Sequence, residues 1–543
     1  MQICTSTVKP LDNCSIKNST NCTSTTEEKS FILPVLMILL SLMVRQMKIL
    51  LEKQSSKPIY LQIRDRISRL IKSGALQSGD RLPSIRCLAQ SLQVNKLTII
   101  EAYNVLEADG VVCARQGAGY FVSSVSVPSA NLKSTFAPAQ NVIIPEQGGS
   151  CFFDMYTTGV HAQSQPGIIN FSLGFPHPPK DIDLIARRAL RQTPDSLFQY
   201  DLPQGQLTLR RQIAQMLIQQ GMEISADNLI ITNGSEQGLS LALQHHIQPG
   251  DWVIVESPTY FGAIAILEKL KAKIIGIPMT AEGMNLELLE QYLKSHRPKL
   301  IYTISTLQNP TGITTTQAHR QELLSLAEKY ECPILEDNAY EGLCFETVPP
   351  PIKAFDKQDL VTYINTFSKT LMPGLRVGYM VVTGKYYQEI LEQKLLHDFH
   401  TSTISQAIVS EYLASGHLRR HLKQMRAELL QSRNLMLQAL ECYFPEEARW
   451  TVPNGGLFLW VQLPENIPTK TIRIEALSQN VLVACGSGFF PDKKGYPAMR
   501  LSYCLTPEEI EKGISRLGKL LKKHLYKGCE RISNKHQRLV HSI

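Results

Sequence analysis

The sequence predicts a multidomain chain: a small α+β unit near the amino terminus, then a much larger α/β unit on a mainly parallel sheet. Three observations carry this. Between Lys57 and Val122, short helical periodicities end in two β-like runs around a glycine-rich tip. Residues 124–166 hold four prolines, many Ser, Ala and Gln, and only Lys133, Glu146 and Asp154 as charges. With no periodic apolar face before Phe152, that composition reads as a semi-extended linker. Beyond it, β-branched apolar runs alternate with amphipathic helical patterns, as in a sheet covered on both faces.

Size and composition set the bounds. At 543 residues there is length for several domains and a large core. The 43% apolar and 19% charged residues suit a soluble globular protein, and a formal net charge of +8 favours a nucleic-acid partner only where the charge is clustered. Twelve cysteines include no C-x-x-C pair, so no metal site or disulfide framework is expected and a reducing cytoplasm fits best.

Residues 1–46 form an amino-terminal extension with three N-x-[ST] triplets, at Asn13, Asn18 and Asn21. Its apolar run, Phe31 to Val44, is 14 residues long and interrupted by Pro34, short of the ~20 residues that span a bilayer. The basic residues Arg45 and Lys48 follow the run, which argues against a signal peptide. The extension is therefore read as upstream sequence, with a membrane anchor as the minority alternative.

The small unit begins at residue 57. Ile63, Ile67, Leu70 and Ile71 share one face of a first helix that stops at Gly74. Pro83-Ser84 opens a second, with Ser84 as its cap and Ile85, Leu88, Ala89 and Leu92 as its apolar stripe. After a turn through Asn95, a third helix presents Ile99, Ala102, Tyr103 and Leu106 and ends at Gly110. Two short helices joined by a tight turn read as helix-turn-helix, and the hairpin from Val111 to Val122 as a wing. Nine Lys/Arg against five Asp/Glu in 57–122 give +4, half the net charge of the whole chain, where a duplex would dock.

In order, Y-x-Q-I at Tyr60, G-x-L-x-x-G-D-x-L-P-S-x-R from Gly74 to Arg86, A-Y-x-x-L at Ala102 and G-x-G-x-F-V ending at Val122 resemble the winged helix of GntR-type regulators, spanning 57–123. The resemblance implies that Arg81, Ser84, Arg86, Asn95, Lys96 and Thr98 face double-stranded DNA, with the tip near Gly119 in the minor groove. Lys96 stands where arginine is common, and a lysine cannot grip guanine bidentately.

In the large unit, the run Leu360 to Ile364 reads as a buried strand delivering Ser368-Lys369 into a loop, with Arg376 seven residues on. A hydroxyl and a planar guanidinium together can hold a phosphate, and a buried lysine beside a phosphate is what a pyridoxal 5'-phosphate protein needs. Leu229 to Thr232 runs into Asn233-Gly234-Ser235-Glu236-Gln237-Gly238 and a helix from Leu239 to His246, a glycine turn whose N–H groups suit an anion. Alone, such a turn is more often only a helix cap. Pro333 to Asp337 ends a buried strand on a carboxylate, which is costly unless paired, and a protonated pyridine nitrogen is a suitable partner.

The S-K-x(6)-R-x-G segment, with Asn309-Pro310-Thr311-Gly312, resembles fold type I aminotransferases over 167–521, leaving 522–543 as a basic tail. The resemblance implies that Gly234, Ser235 and Glu236 cradle the phosphate with Ser368 and Arg376, that Lys369 is the catalytic lysine, and that Asp337 holds the ring nitrogen. It places Tyr260 on the ring face, Asn309 and Tyr340 at the phenolate oxygen, and Arg500, with Gly174, on the substrate carboxylate. Tyr200 would reach the phosphate site of a neighbouring subunit, so a homodimer is implied. Glu236 departs from the glutamine frequent there and brings a negative charge to the cradle.

A winged helix, a linker and an aminotransferase-like domain in that order resemble the MocR/PdxR regulators. This implies a transcription regulator whose effector domain holds pyridoxal 5'-phosphate and answers to an amino acid or a vitamin B6 compound. A working aminotransferase is the alternative, since every residue that chemistry needs is present.

Overall fold

A computed structural model describes residues 51, 57–72, 75–115, 117–123, 152–175, 178–192 and 199–540. The apolar run Phe31 to Val44, the triplets before it and Gly74 lie outside these. The chain divides into two compact units, each treated by itself.

Near the amino terminus α1 (Ile59–Lys72), whose residues through Arg64 belong to the small unit, carries Ile63 and Ile67, both fully buried, on one face. Ser84 and Asn95 cap α2 (Ile85–Leu92) and α3 (Lys96–Ala108), accepting from the N–H groups of Cys87 and Leu97. Each cap satisfies a donor that the helix start leaves orphaned. Between the helices Gln93 takes a left-handed conformation, φ 53°, which keeps the turn tight. Ile99, Ala102, Tyr103 and Leu106 of α3 are fully buried, and the Tyr103 hydroxyl donates to the Pro83 carbonyl at 2.8 Å, tying α3 to the start of α2. The wing is the antiparallel pair β1 (Val112–Arg115) and β2 (Gly119–Val122), and Arg81 bridges to Phe121 on its other edge.

The large unit is built on eight strands: β4 (Leu229–Asn233), β5 (Trp252–Ser257), β6 (Lys273–Thr280), β7 (Gly283–Met284), β8 (Leu300–Thr303), β9 (Ile334–Asp337), β10 (Val361–Thr366) and β11 (Val377–Val381). Their order is β4-β11-β10-β9-β8-β5-β6-β7, with β5, β6, β8, β9 and β10 in parallel register and β11 and β7 reversed. Strands β8 to β11 are buried at every position, which is why their sequences show no strict alternation of apolar and polar residues. The carboxyl ends of β9 and β10 and the turn after β4 carry the functional groups, as expected at the mouth of an open α/β sheet.

A four-stranded antiparallel sheet follows: β12 (Arg449–Trp450), β13 (Phe458–Gln462), β15 (Ala484–Cys485) and β16 (Ala498–Ser502), in the order β12-β13-β16-β15. The segment Ile169–Asn170 (β3) pairs in parallel with Val481–Leu482 (β14). The closing helix, Pro507–Val540, continues through most of the stretch read as a basic tail.

Two readings of the sequence need correction. Residues 152–163, assigned to the linker, form a helix, Phe152–Gln163; residues 124–151 lie outside the described ones. Among its residues with described burial only Met155, Gly159 and Ala162 are buried, a stripe too narrow to show as an apolar face. Gly159 lies so close to Leu173 that an added Cβ would sit 2.6 Å from its side chain. The helix after β4 begins at Ser235 rather than Leu239, with Gly234 as its N-cap, so Ser235 and Glu236 are its first two residues.

Candidate functional site

In the small unit, the groups expected to face DNA gather at the starts of α2 and α3 and along the wing. Arg81, Ser84, Arg86, Asn95, Lys96 and Gly119 are exposed and Thr98 is half-buried. The two caps are engaged with their helices, yet a capping hydroxyl or amide still has protons to donate to a phosphate. Gly119, at φ +103°, lies beside Arg81, whose guanidinium would sit 3.6 Å from an added Cβ. Arg115, which the sequence reading passed over, stacks its guanidinium 4.6 Å from the Phe121 ring, where it adds charge to the wing.

In the large unit a cavity of about 620 Å³ receives Gly174, Ser235, Glu236, Tyr260, Asn309, Asp337, Tyr340, Ser368, Lys369, Arg376 and Arg500, residues scattered over more than 300 positions of sequence. Gly234 is not among its lining residues but immediately precedes Ser235, which is. Tyr200 does not line it: the residue is 88% exposed, 6.1 Å from the Phe399 ring.

One end of the cavity is an anion cradle. Gly234, φ +73°, opens the helix Ser235–His246, and an added Cβ there would fall 2.4 Å from the Arg376 guanidinium. An added Cβ on Gly378 would strike the Gly234 carbonyl carbon at 2.5 Å, so two glycines let β11 pass beneath the turn. Arg376 donates to the Ser368 hydroxyl and to the Asn233 carbonyl, both at 3.2 Å, and is itself left-handed at φ 54°. Helix N–H groups, a hydroxyl and a guanidinium thus converge, the donor set of a phosphate site.

Lys369 stands between this cradle and the other end. Its Nζ lies 3.5 Å from the Gly174 carbonyl and 5.7 Å from the Phe175 ring centroid. Burial, then the Arg500 charge, pushes its amine down to about 8, which puts more of the nucleophilic form within reach at neutral pH.

Asp337, at the end of β9, accepts from the Tyr302 hydroxyl at 3.0 Å and from the Ala339 N–H at 3.1 Å. Burial lifts its carboxyl to about 7, and no cation forms an ion pair with it among the described residues. A carboxylate with only neutral donors is half-satisfied, and a cationic ring nitrogen would complete it. Asn309 donates to the Tyr340 hydroxyl at 3.5 Å and accepts from Arg500 Nη1 at 2.8 Å.

Arg500 is 2% exposed. The sequence leads one to expect an anionic partner; its acceptors instead are neutral, Asn309 and the Ser172 carbonyl at 2.6 Å, and its guanidinium lies 3.8 Å from the Phe458 ring. Its Nε has no acceptor among the described residues, and burial draws the group down to about 10. Neutral acceptors hold the fork in place without cancelling its charge.

The sequence reading missed Tyr302, Phe175 and Tyr156. Tyr302 is a buried residue inside β8, and nothing in a strand pattern separates a hydrogen-bonding tyrosine from a packed one. Tyr156 lines the cavity from the helix that was read as linker.

Comparison with known proteins agrees with both units. Residues 166–517 match the aminotransferase class I and II family, and residues 59–122 match the gntR family of bacterial regulatory proteins. The uncharacterised HTH-type transcriptional regulator YdcR of Escherichia coli is 33% identical over 86% of this chain and 99% of its own. Aromatic-amino-acid aminotransferase 1 of Thermococcus litoralis is 35% identical over 66% of this chain and 89% of its own. Among solved structures, Pyrococcus horikoshii kynurenine aminotransferase, in complex with PMP, is 33% identical with a TM-score of 0.65, covering 70% of this chain and 96% of its own. The chain therefore belongs to the aminotransferase class I and II family, in the group of HTH-type transcriptional regulators of MocR/PdxR type that carry a GntR winged helix ahead of that domain.

Proposed function

We propose that the protein regulates transcription in the cytoplasm, gripping double-stranded DNA through its winged helix and holding pyridoxal 5'-phosphate in the cavity of the large unit. The observation that carries this is the convergence, in one cavity, of a lysine, an anion cradle and a half-satisfied buried carboxylate, in a chain that also carries a DNA reader. When bound, the cofactor supplies an aldehyde that an amine can attack and a ring that withdraws electrons. Lys369 would hold that aldehyde covalently. Ser235, Glu236, Ser368 and Arg376 would surround the phosphate, Gly234 giving it room, and Asp337, oriented by Tyr302, would keep a proton on the ring nitrogen. Tyr260 would cover the ring face, while Asn309 and Tyr340 would donate to the phenolate oxygen. Arg500, near Gly174, would take the carboxylate of an amino-acid effector.

On the DNA, Arg81, Arg86 and Lys96 supply charge, Ser84, Asn95 and Thr98 supply donors at two helix starts, and Gly119 lets the wing tip approach the backbone. A homodimer fits the exposed apolar residues around Tyr200: Leu202 is 60%, Phe399 64% and Leu396 87% exposed. No helix among the described residues is long and apolar enough to cross a membrane. The effector acts by unequal affinity for two arrangements of the chain, the only way a ligand shifts an equilibrium.

The second reading, a turning-over aminotransferase, is favoured by the lowered Lys369 amine and the uncancelled charge of Arg500. The test is spectroscopic. Bound pyridoxal 5'-phosphate should give a visible band. An added amino acid should perturb that band without emptying it in a regulator, and convert it fully to the pyridoxamine form in an enzyme. Absence of any band would overturn both readings.

A further inference from the structure

Resting on the cofactor reading above, we infer that Glu236 is a built-in opponent of the cofactor phosphate, so that the large unit loads pyridoxal 5'-phosphate reversibly and with uptake of a proton. Glu236 is the second residue of the helix Ser235–His246, so its own N–H belongs to the anion cradle while its side chain lines the same cavity as Ser235, Ser368 and Arg376. The Tyr260 hydroxyl donates to its carboxylate. No cation forms an ion pair with Glu236 among the described residues: Arg376 turns its guanidinium to the Ser368 hydroxyl and the Asn233 carbonyl instead. A carboxylate held by a neutral donor inside an anion site is what a phosphate dianion has to meet.

The groups facing Glu236 set the sign. Tyr260 comes from the start of the helix Phe261–Lys269, Lys369 and Arg376 from the turn between β10 and β11, and Asp337 from β9. Burial raises the Glu236 carboxyl, while the Tyr260 hydrogen bond and the charges of Arg376 and Lys369 pull it back. A phosphate dianion entering the cradle adds a second negative charge, which raises the carboxyl further, so binding is accompanied by proton uptake onto Glu236 where the free carboxyl is ionised. Affinity then falls as pH rises above the point where the free carboxyl ionises. A glutamine of the same shape would keep the Tyr260 contact and remove the opposition.

The experiment titrates the full-length, cofactor-free protein with pyridoxal 5'-phosphate, followed by absorbance, from about pH 6 to pH 9. Pyridoxal, which lacks the phosphate, is the second probe. Glu236→Gln should bind the phosphorylated cofactor roughly tenfold more tightly at the alkaline end, with the two proteins converging at the acid end, since one pKa unit of like-charge opposition is a factor of ten. Its affinity for pyridoxal should rise less than its affinity for the phosphorylated cofactor, since pyridoxal brings no phosphate charge to the cradle. Tyr260→Phe, which removes the donor that stabilises the charged carboxylate, should move the fall in affinity to higher pH, and it serves if Glu236→Gln fails to fold. Equal affinity of wild type and Glu236→Gln at every pH would overturn the inference, as would equal tightening toward pyridoxal. A protein that takes up no cofactor in any variant would instead refute the reading on which the inference rests.

Discussion

The two units spend charge in opposite ways. The winged helix keeps Arg86 and Lys96 at helix starts and Arg81 beside the wing, all in solvent, where a charge costs little and could bind a phosphate chain by releasing its counterions. The large unit buries Asp337 and Arg500 and half-buries Lys369, and burial raises the acid to about 7 and lowers the bases to about 10 and about 8. The lesson is about selectivity. Exposed charges attract any duplex and need base contacts to discriminate, whereas buried and incompletely satisfied charges accept only a ligand that completes them.

The comparison can be broken most sharply at Lys369. Lys369→Ala should abolish covalent cofactor attachment and the visible band altogether, while the full chain still retards target DNA in a gel. Loss of both together would mean that the two units do not divide the work as proposed. Arg86→Ala should do the reverse, costing ~1–3 kcal/mol of specific DNA binding, with the cofactor band intact. A footprint unchanged by Arg86→Ala would remove that residue from the DNA face.

The buried carboxylates sharpen the contrast through pH. Asp337 and Glu256 titrate near 4 in an unfolded chain and at about 7 in the fold, so between these values the native state binds more protons. The cofactor-free protein should therefore lose stability as pH rises from about 4 to about 7 and level off above. Asp337→Asn should make that loss shallower, as read from thermal melts of both proteins across the range. An identical slope in the variant would show that Asp337 is solvated rather than buried. The smallest effect expected is at Tyr302→Phe, which removes one donor to Asp337 and should weaken cofactor binding by ~1 kcal/mol, about fivefold. No change at all would make Tyr302 a packing residue.

Much of this was legible in the sequence because burial and chemistry coincide. Strands β8 to β11 are buried on both sides, so their runs mark the sheet, and the groups at the carboxyl ends of β9 and β10 mark the cavity. Asp337 and Lys369 could be picked out by asking which charges a buried strand delivers. The helix Phe152–Gln163 was not legible, since Gly159 and the threonines 157 and 158 are poor helix formers and its inner stripe is three residues wide. Nor were the acceptors of Arg500: a charge in an apolar strand signals a partner, but the carbonyl of Ser172, more than 300 residues earlier, is fixed only by tertiary packing. Tyr302 belongs to the same class, a cross-strand contact that no local pattern records.

One measurement tests the central claim most directly. The full-length protein is incubated with pyridoxal 5'-phosphate, reduced with borohydride, digested and read by mass spectrometry. The expected result is a single phosphopyridoxyl adduct on the peptide containing Lys369, at one adduct per chain. A colourless protein whose Lys369 peptide gains no mass would contradict the account of the large unit and leave only the DNA reader standing.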